Sequence, residues 1–182
     1  GQLEMLPELA ERRLRNARRL SAGLAQITGV RPLPPQAALT REAIYCYVFQ
    51  YTPAARKVGR DMFVAALDAE GVPSDGRFYE PVYRSDLFKV TPEEFPQLVM
   101  NREQPVDYSR DSCPVSERAA YDEAVWLPQF TLLGDESDVD DILNAVEKVT
   151  ANLSALENAD PALAALKSMS RAERPRIEKK NY

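Results

Sequence analysis

An α+β fold, with a small antiparallel or mixed sheet covered on one face by helices and a long N-terminal helix, is what this 182-residue sequence predicts. Three observations lead there. Apolar residues recur at helical spacing in two long segments, one opening the chain and one in its last third. Between them lies a segment dense in aromatic and β-branched residues, the composition of a strand. Shorter strand-like and helical stretches alternate around it, broken by prolines. No repeat at a fixed period points to a solenoid, and the length suits one core.

The elements follow in order. Leu3, Leu6, Ala10, Leu14, Ala17, Leu20, Leu24 and Ile27 predict an amphipathic helix over residues 3 to 27, with Pro7 bending it or marking its start. The stripe is already in phase at Leu3, so the helix is expected to begin upstream of Gly1 and the N-terminus to be cut. Arg12, Arg15, Arg18 and Arg19 project mostly to the polar side. Arg13 projects into the apolar arc, where a guanidinium must be paired or reach a wet cleft; an ion pair is the expectation, a ligand contact the alternative. A proline-rich connector, Arg31 to Pro35, leads to the strongest strand, Ile44 to Tyr51. Arg60 to Gly71 reads as a helix with Phe63, Val64 and Leu67 inward and Gly71 as its stop.

Residues 76 to 88 have strand composition broken by Pro81 and are expected to form a short edge strand running into an irregular loop. Residues 91 to 112 read as loop with one short helix near Pro92 to Phe95. Ser116 to Asp122 predicts a helical turn or two, and Ala124 to Leu127 a short strand ended by Pro128. From Ser137, the residues Val139, Ile142, Leu143, Val146, Val149, Leu153 and Leu156 keep helical spacing behind an acidic N-terminus that suits the helix dipole. A short helix is expected over Ala162 to Met169, followed by a charged tail from Arg171 to Tyr182 that is mobile or lies on a partner.

Composition excludes several functions. The formal net charge of −5 argues against nucleic-acid binding, which rests on clustered Lys and Arg. There is no apolar run long enough for a membrane span and no signal-peptide order, so a cytoplasmic chain is expected. With no histidine, Ser-His and Cys-His nucleophiles are excluded within the chain, and a zinc site would need an unusual ligand set. Cys46 and Cys113 are too few for a disulfide scaffold and read as structural thiols.

Four segments in sequence carry a family resemblance. Leu3 to Leu9 with Glu11-Arg-Arg-Leu-Arg-Asn-Ala17, the tyrosine-rich strand with Arg60 to Pro73, the loop Tyr79-Glu-Pro-Val-Tyr83-Arg-Ser-Asp-Leu-Phe88, and Cys113-Pro-Val-Ser-Glu117 leading to Trp126-Leu-Pro128 resemble, in this order, the C-terminal domain of the DegT-type sugar and cyclitol aminotransferases, which are fold type I enzymes. The resemblance runs from Gly1 to about Ala155. It implies a small domain over residues 1–159, with a linking helix at 1–28 and a tail at 160–182. The Tyr-x-Pro-Val-Tyr-Arg form with Trp-Leu-Pro is most similar to members acting on keto-cyclitols, such as scyllo-inosose aminotransferases.

What the resemblance implies is a homodimer that uses pyridoxal phosphate to move an amino group from glutamine or glutamate to a keto-sugar or keto-cyclitol. That cofactor needs a Schiff-base lysine. The six lysines, Lys57, Lys89, Lys148, Lys167, Lys179 and Lys180, lie outside any segment resembling the family's Schiff-base motif. The expectation is therefore an enzyme domain without its chemistry, silent and cofactor-free alone, with a large N-terminal domain as its missing partner. A stand-alone interaction or oligomerisation subunit derived from such a domain is the alternative. The resemblance assigns substrate shaping to Tyr79, Tyr83 and Arg84; the plainer reading of the tyrosines is half-buried aromatics with surface hydroxyls. Glu117 and Arg118 are expected to pair structurally, and Gln129 stands where many relatives carry histidine.

Overall fold

The computed structural model describes residues 1–54, 57–77, 79–88, 91, 93–99, 103, 108 and 111–168. Helix α1 (Gln2–Leu24) is followed by strands β1 (Val30–Pro32) and β2 (Cys46–Tyr51) and helix α2 (Arg60–Ala69). Three short 3-10 turns, Val82–Arg84, Asp86–Phe88 and Pro96–Leu98, precede α3 (Pro114–Arg118), which widens into a π-turn at Ala119–Glu123. Strand β3 (Ala124–Pro128), a 3-10 turn (Gln129–Leu132), α4 (Glu136–Ala151), α5 (Leu153–Leu156), a last 3-10 turn (Pro161–Ala164) and α6 (Ala165–Ser168) complete the order.

The three strands form an antiparallel sheet in the order β1-β2-β3. Alternation along β2 sends Tyr47, Phe49 and Tyr51 into the core and leaves Cys46, Val48 and Gln50 on the other face, as the period of two requires. Val125 and Leu127 of β3 join the inner set, because the register places them opposite Phe49 and Tyr47. Helices α1, α2 and α4 close over this face with Leu20, Leu24, Phe63, Val64, Leu67, Val139 and Val146, all fully buried. Phe63 stacks on Tyr51 with ring centroids 4.4 Å apart. The one-face-covered sheet is as expected.

Local chemistry sets the helix ends. Gly71, at φ 88°, ends α2: the Val72 N–H donates to the Leu67 carbonyl and the Gly71 N–H to the Asp68 carbonyl, a Schellman motif that only a residue at ease with positive φ completes. Asp135 caps α4 by accepting from the Ser137 and Asp138 N–H groups, while Asp138 accepts from the Asp135 N–H. Arg19 grips Asp140 through two nitrogens, at 2.9 and 2.8 Å, across α1 and α4.

Four expectations change. Of the two roles expected of Pro7, marking the start of α1 is excluded, since the helix runs through it from Gln2, and Leu3 and Leu6 stay exposed although they continue the apolar stripe. Val30–Pro32, read as connector, is an edge strand, where Pro32 loses no pairing that an edge needs. The edge strand expected at the start of residues 76 to 88 is replaced, among the described residues, by a bridge between Asp75 and Trp126, and the irregular loop expected after it is there, coiling through two 3-10 turns. The short helix placed near Pro92 to Phe95 is a turn at Glu93–Glu94 before the Pro96–Leu98 turn, with Pro92 outside the described residues. The helix expected over Ala162 to Met169 is present as the turn at Pro161–Ala164 and α6, and it packs on α2, where Lys167 donates to the Ser74 carbonyl at 2.7 Å. The charged tail from Arg171 lies outside the described residues.

Burial raises the phenols of Tyr47 and Tyr51 from 10.0 to about 12. Both stay neutral in the fold, Tyr47 sharing a 2.7 Å hydrogen bond with Ser21 and Tyr51 donating to the Val58 carbonyl at 3.0 Å. A raised acid in the fold means stability that is complete below pH 10 and lost as pH rises towards 12. Alkaline titration is expected to show tyrosinate absorbance and loss of helical circular dichroism rising together in that window. Ionisation of all tyrosines near pH 10 with the fold intact would contradict the burial.

Candidate functional site

Loop 77–88 crosses from the Asp75 bridge towards α3, and its side chains are fastened to α3 and the π-turn by two clamps. In the first, Arg77 Nε donates to Glu80 Oε1 at 2.7 Å and Tyr121 Oη to Glu80 Oε2 at 2.7 Å, while the Arg77 guanidinium lies 4.7 Å over the Tyr121 ring. Burial, and then the bond to Glu80, raise the Tyr121 phenol to about 12, so it remains a donor. In the second, Tyr83 Oη donates to Glu117, Arg84 Nη2 donates to the same oxygen at 3.0 Å, and the Cys113 N–H donates to Tyr83 Oη at 3.2 Å. The Arg84 guanidinium sits 5.0 Å over the Tyr83 ring. The bonds from Tyr83 and then Arg84 hold the Glu117 carboxyl below its ordinary range, and the Glu117 bond raises Arg84.

The three residues singled out from the sequence therefore divide. Tyr83 and Arg84 meet at Glu117, and the Tyr83 hydroxyl already donates once and accepts once, which makes it a fastening for the loop. Tyr79 stands apart, 57% exposed, with its ring edge-on to Trp126 at 6.0 Å. Trp126 lies opposite Val48 on the sheet face that the helices leave uncovered. Val82 and Leu87 are also exposed, so the loop presents an aromatic and apolar rim with Arg84 beside it.

The main support of this arrangement was not seen in the sequence. Arg60 is 3% exposed. Its Nη1 donates to the carbonyls of Gly76 and Ala124, each at 2.8 Å, its Nη2 to that of Tyr121 at 2.8 Å, and both nitrogens to that of Ala120 at 3.3 Å. Its Nε donates to Asp61 at 2.7 Å. One guanidinium thus joins the root of loop 77–88 to the carbonyl end of the π-turn, where a positive charge also suits the helix dipole. The available signal was its position: a cation at the first residue of α2 opposes that helix's own dipole and so implies a partner elsewhere. Glu80 and Tyr121 gave no local signal.

Other candidates resolve as follows. Arg118 pairs with the buried Glu123 at 3.0 Å, as expected of a structural pair. The ion pair expected of Arg13 is not formed among the described residues: its Nε is buried without a hydrogen-bond partner. Gln129 Oε1 is likewise buried without a partner. Cys113 is exposed rather than packed inside, and no disulfide joins it to the half-buried Cys46. Among the described residues no group of three or more His, Cys, Asp or Glu is placed to hold a metal, and no helix is long and apolar enough to cross a membrane. Lys57, Lys148 and Lys167 are each paired with a carboxylate, Glu157, Glu70 and Asp68, and none of them lines the 900 Å³ or the 400 Å³ cleft beside α1. Lys89, Lys179 and Lys180 lie outside the described residues. A cleft of about 900 Å³ runs between α1 and the segment from Leu33 to Val48 and takes no residue from loop 77–88.

The fold, a small antiparallel sheet under a long helix, is shared with part of longer solved structures. The fold matches 3-amino-5-hydroxybenzoic acid synthase with a TM-score of 0.63 at 24% identity, over 83% of this chain and 36% of that one. It matches the aminotransferase TlmJ from Streptoalloteichus hindustanus with a TM-score of 0.59 at 24% identity, over 84% and 35%. The chain belongs to the DegT/DnrJ/EryC1/StrS aminotransferase family, which matches residues 1–147. Among its relatives, a Streptomyces kanamyceticus protein bearing the name L-glutamine:3-amino-2,3-dideoxy-scyllo-inosose aminotransferase is 37% identical over 87% of this chain and 39% of its own length. The L-glutamine:2-deoxy-scyllo-inosose aminotransferase of Micromonospora echinospora is 31% identical over 84% and 35%. The chain thus spans little more than a third of the relatives it matches.

Proposed function

We propose that this chain is the C-terminal, smaller domain of a pyridoxal-phosphate aminotransferase that passes an amino group from glutamine or glutamate to a keto-cyclitol or related keto-sugar. The observation that carries the reading is 37% identity across nearly the whole chain to a protein named for glutamine and an amino-scyllo-inosose. The Schiff-base chemistry belongs to the larger portion that such relatives carry, and the chain alone is silent. Full assembly is a homodimer in the cytoplasm. Within it, loop 77–88 lies against the acceptor: Tyr79 offers a ring face and a hydroxyl, and Arg84, steadied by Tyr83 and Glu117, offers the remaining donors of its guanidinium.

The test joins this chain to the N-terminal portion of the Streptomyces kanamyceticus relative that it does not match. Glutamine-dependent amination of a keto-cyclitol is expected from the joined protein and not from the 182-residue chain. A joined protein that folds and binds pyridoxal phosphate but aminates no keto-cyclitol would sink the substrate assignment. In the active joined protein, Tyr79→Ala is expected to raise KM for the keto substrate about two- to tenfold, the scale of an aromatic contact, and to leave the glutamine half-reaction unchanged. Equal loss in both halves would place Tyr79 in folding instead.

A further inference from the structure

The opening turns of α1 carry an apolar surface that the fold does not use. Leu3 is 82% exposed, Met5 56% and Leu6 49%, while the same stripe is buried from Leu14 onward. Leu6, Pro7, Ala10 and Arg13 form one wall of a cleft of about 400 Å³, and Arg41 to Tyr45, just before β2, form the other. Arg13 belongs to that wall, and its Nε is sealed from solvent without an acceptor. Three other arginines near it are settled inside the chain: Arg12 on Glu8 and the Leu133 carbonyl, Arg19 on Asp140 and Glu136, Arg41 on Glu11. Glu42 lines the same cleft and makes no ion pair with Arg13. A buried donor left unmade costs about 1–3 kcal/mol, which an acceptor brought into this cleft would offset.

We propose that this cleft is a docking site for the larger portion of the enzyme, and that Arg13 receives there a carboxylate or main-chain carbonyl set beside an apolar side chain. The inference rests on the function proposed above. Three features agree on that occupant. The relatives carry more than half their length outside the matched region. The exposed leucines are continuous with the cleft wall. The unsatisfied group is a donor on a cation, which an acidic or carbonyl-bearing segment complements.

The experiment reads the same substitution in two contexts. In the 182-residue chain, Arg13→Met keeps the aliphatic stem and removes the unsatisfied donor, and is expected to raise the thermal midpoint by about 2–4 °C. In the joined protein it is expected to lower the midpoint by about the same amount or more, because there it leaves a buried acceptor without its donor. Arg13→Leu provides a second variant with the same two signs. A lower midpoint in the chain alone would show that Arg13 is settled within this domain and would overturn the proposal. A rise in both contexts, with amination intact in the joined wild type, would overturn it while leaving the proposed function standing. Inactivity of the joined wild type speaks against that function, and the sign of the midpoint shift still decides Arg13.

Discussion

Replacing Arg60 by methionine is expected to lower the unfolding free energy of the chain by about 3–5 kcal/mol, the range found when one partner of a buried ionic network is removed. Methionine fills much of the same volume but donates nothing. The carbonyls of Gly76, Ala120, Tyr121 and Ala124 would lose their donor together, and Asp61 would lose its cation. Each stranded acceptor costs about 1–3 kcal/mol taken singly, but loosening of the π-turn lets water reach some of them, which keeps the total below the sum. Urea denaturation followed by circular dichroism measures it as a lower midpoint at unchanged slope. A loss under about 1 kcal/mol would mean that the guanidinium barely offsets its own desolvation. Arg60→Lys is expected to recover only part of the loss, since an ammonium cannot spread its donors over carbonyls on two separate segments.

How much of this was legible in the sequence depends on how local each cause is. The helices α1, α2 and α4 were readable because burial on one face repeats every three or four residues, and β2 because its residues alternate between core and open face. Gly71 as a stop and the acidic start of α4 act within one turn of their own position, and both were read correctly. Strand β1 was hidden because three residues containing a proline carry no periodic signal. The irregular course of loop 77–88 was read from Pro81, but the strand expected at its start was not found, because tyrosine, phenylalanine and valine there imitate a strand while the groups that hold the loop, Glu117 and Tyr121, are more than thirty residues away in sequence. Tyr79, Tyr83 and Arg84 could be singled out only through resemblance to a family. That Tyr83 fastens the loop while Tyr79 faces outward is a matter of tertiary contact, which no spacing rule encodes.

Placing alanine at Gly76 is expected to cost about 3 kcal/mol, the upper end of what a single added carbon costs in a tightly packed site. The cause is space, since Gly76 is not among the glycines at positive φ. A Cβ there would stand 2.4 Å from Arg60 Nε and 2.8 Å from its Cζ. The far end of an arginine usually moves aside at little cost, but this one is held by Asp61 and four carbonyls, and any shift that admits the methyl breaks several bonds at once. The gain from stiffening the unfolded chain, about 0.4–1 kcal/mol for Gly→Ala, does not offset that. The same reasoning fixes the double mutant. With Met at position 60 the pinned group is gone, so Gly76→Ala should then cost under about 1 kcal/mol, and the two changes should fall short of additivity by about 2 kcal/mol. Chemical denaturation of the two single mutants and the double mutant measures that difference. Additive losses would show that Gly76 is required for some reason other than Arg60, and would remove the link between the buried guanidinium and the root of the loop that carries Tyr79, Tyr83 and Arg84.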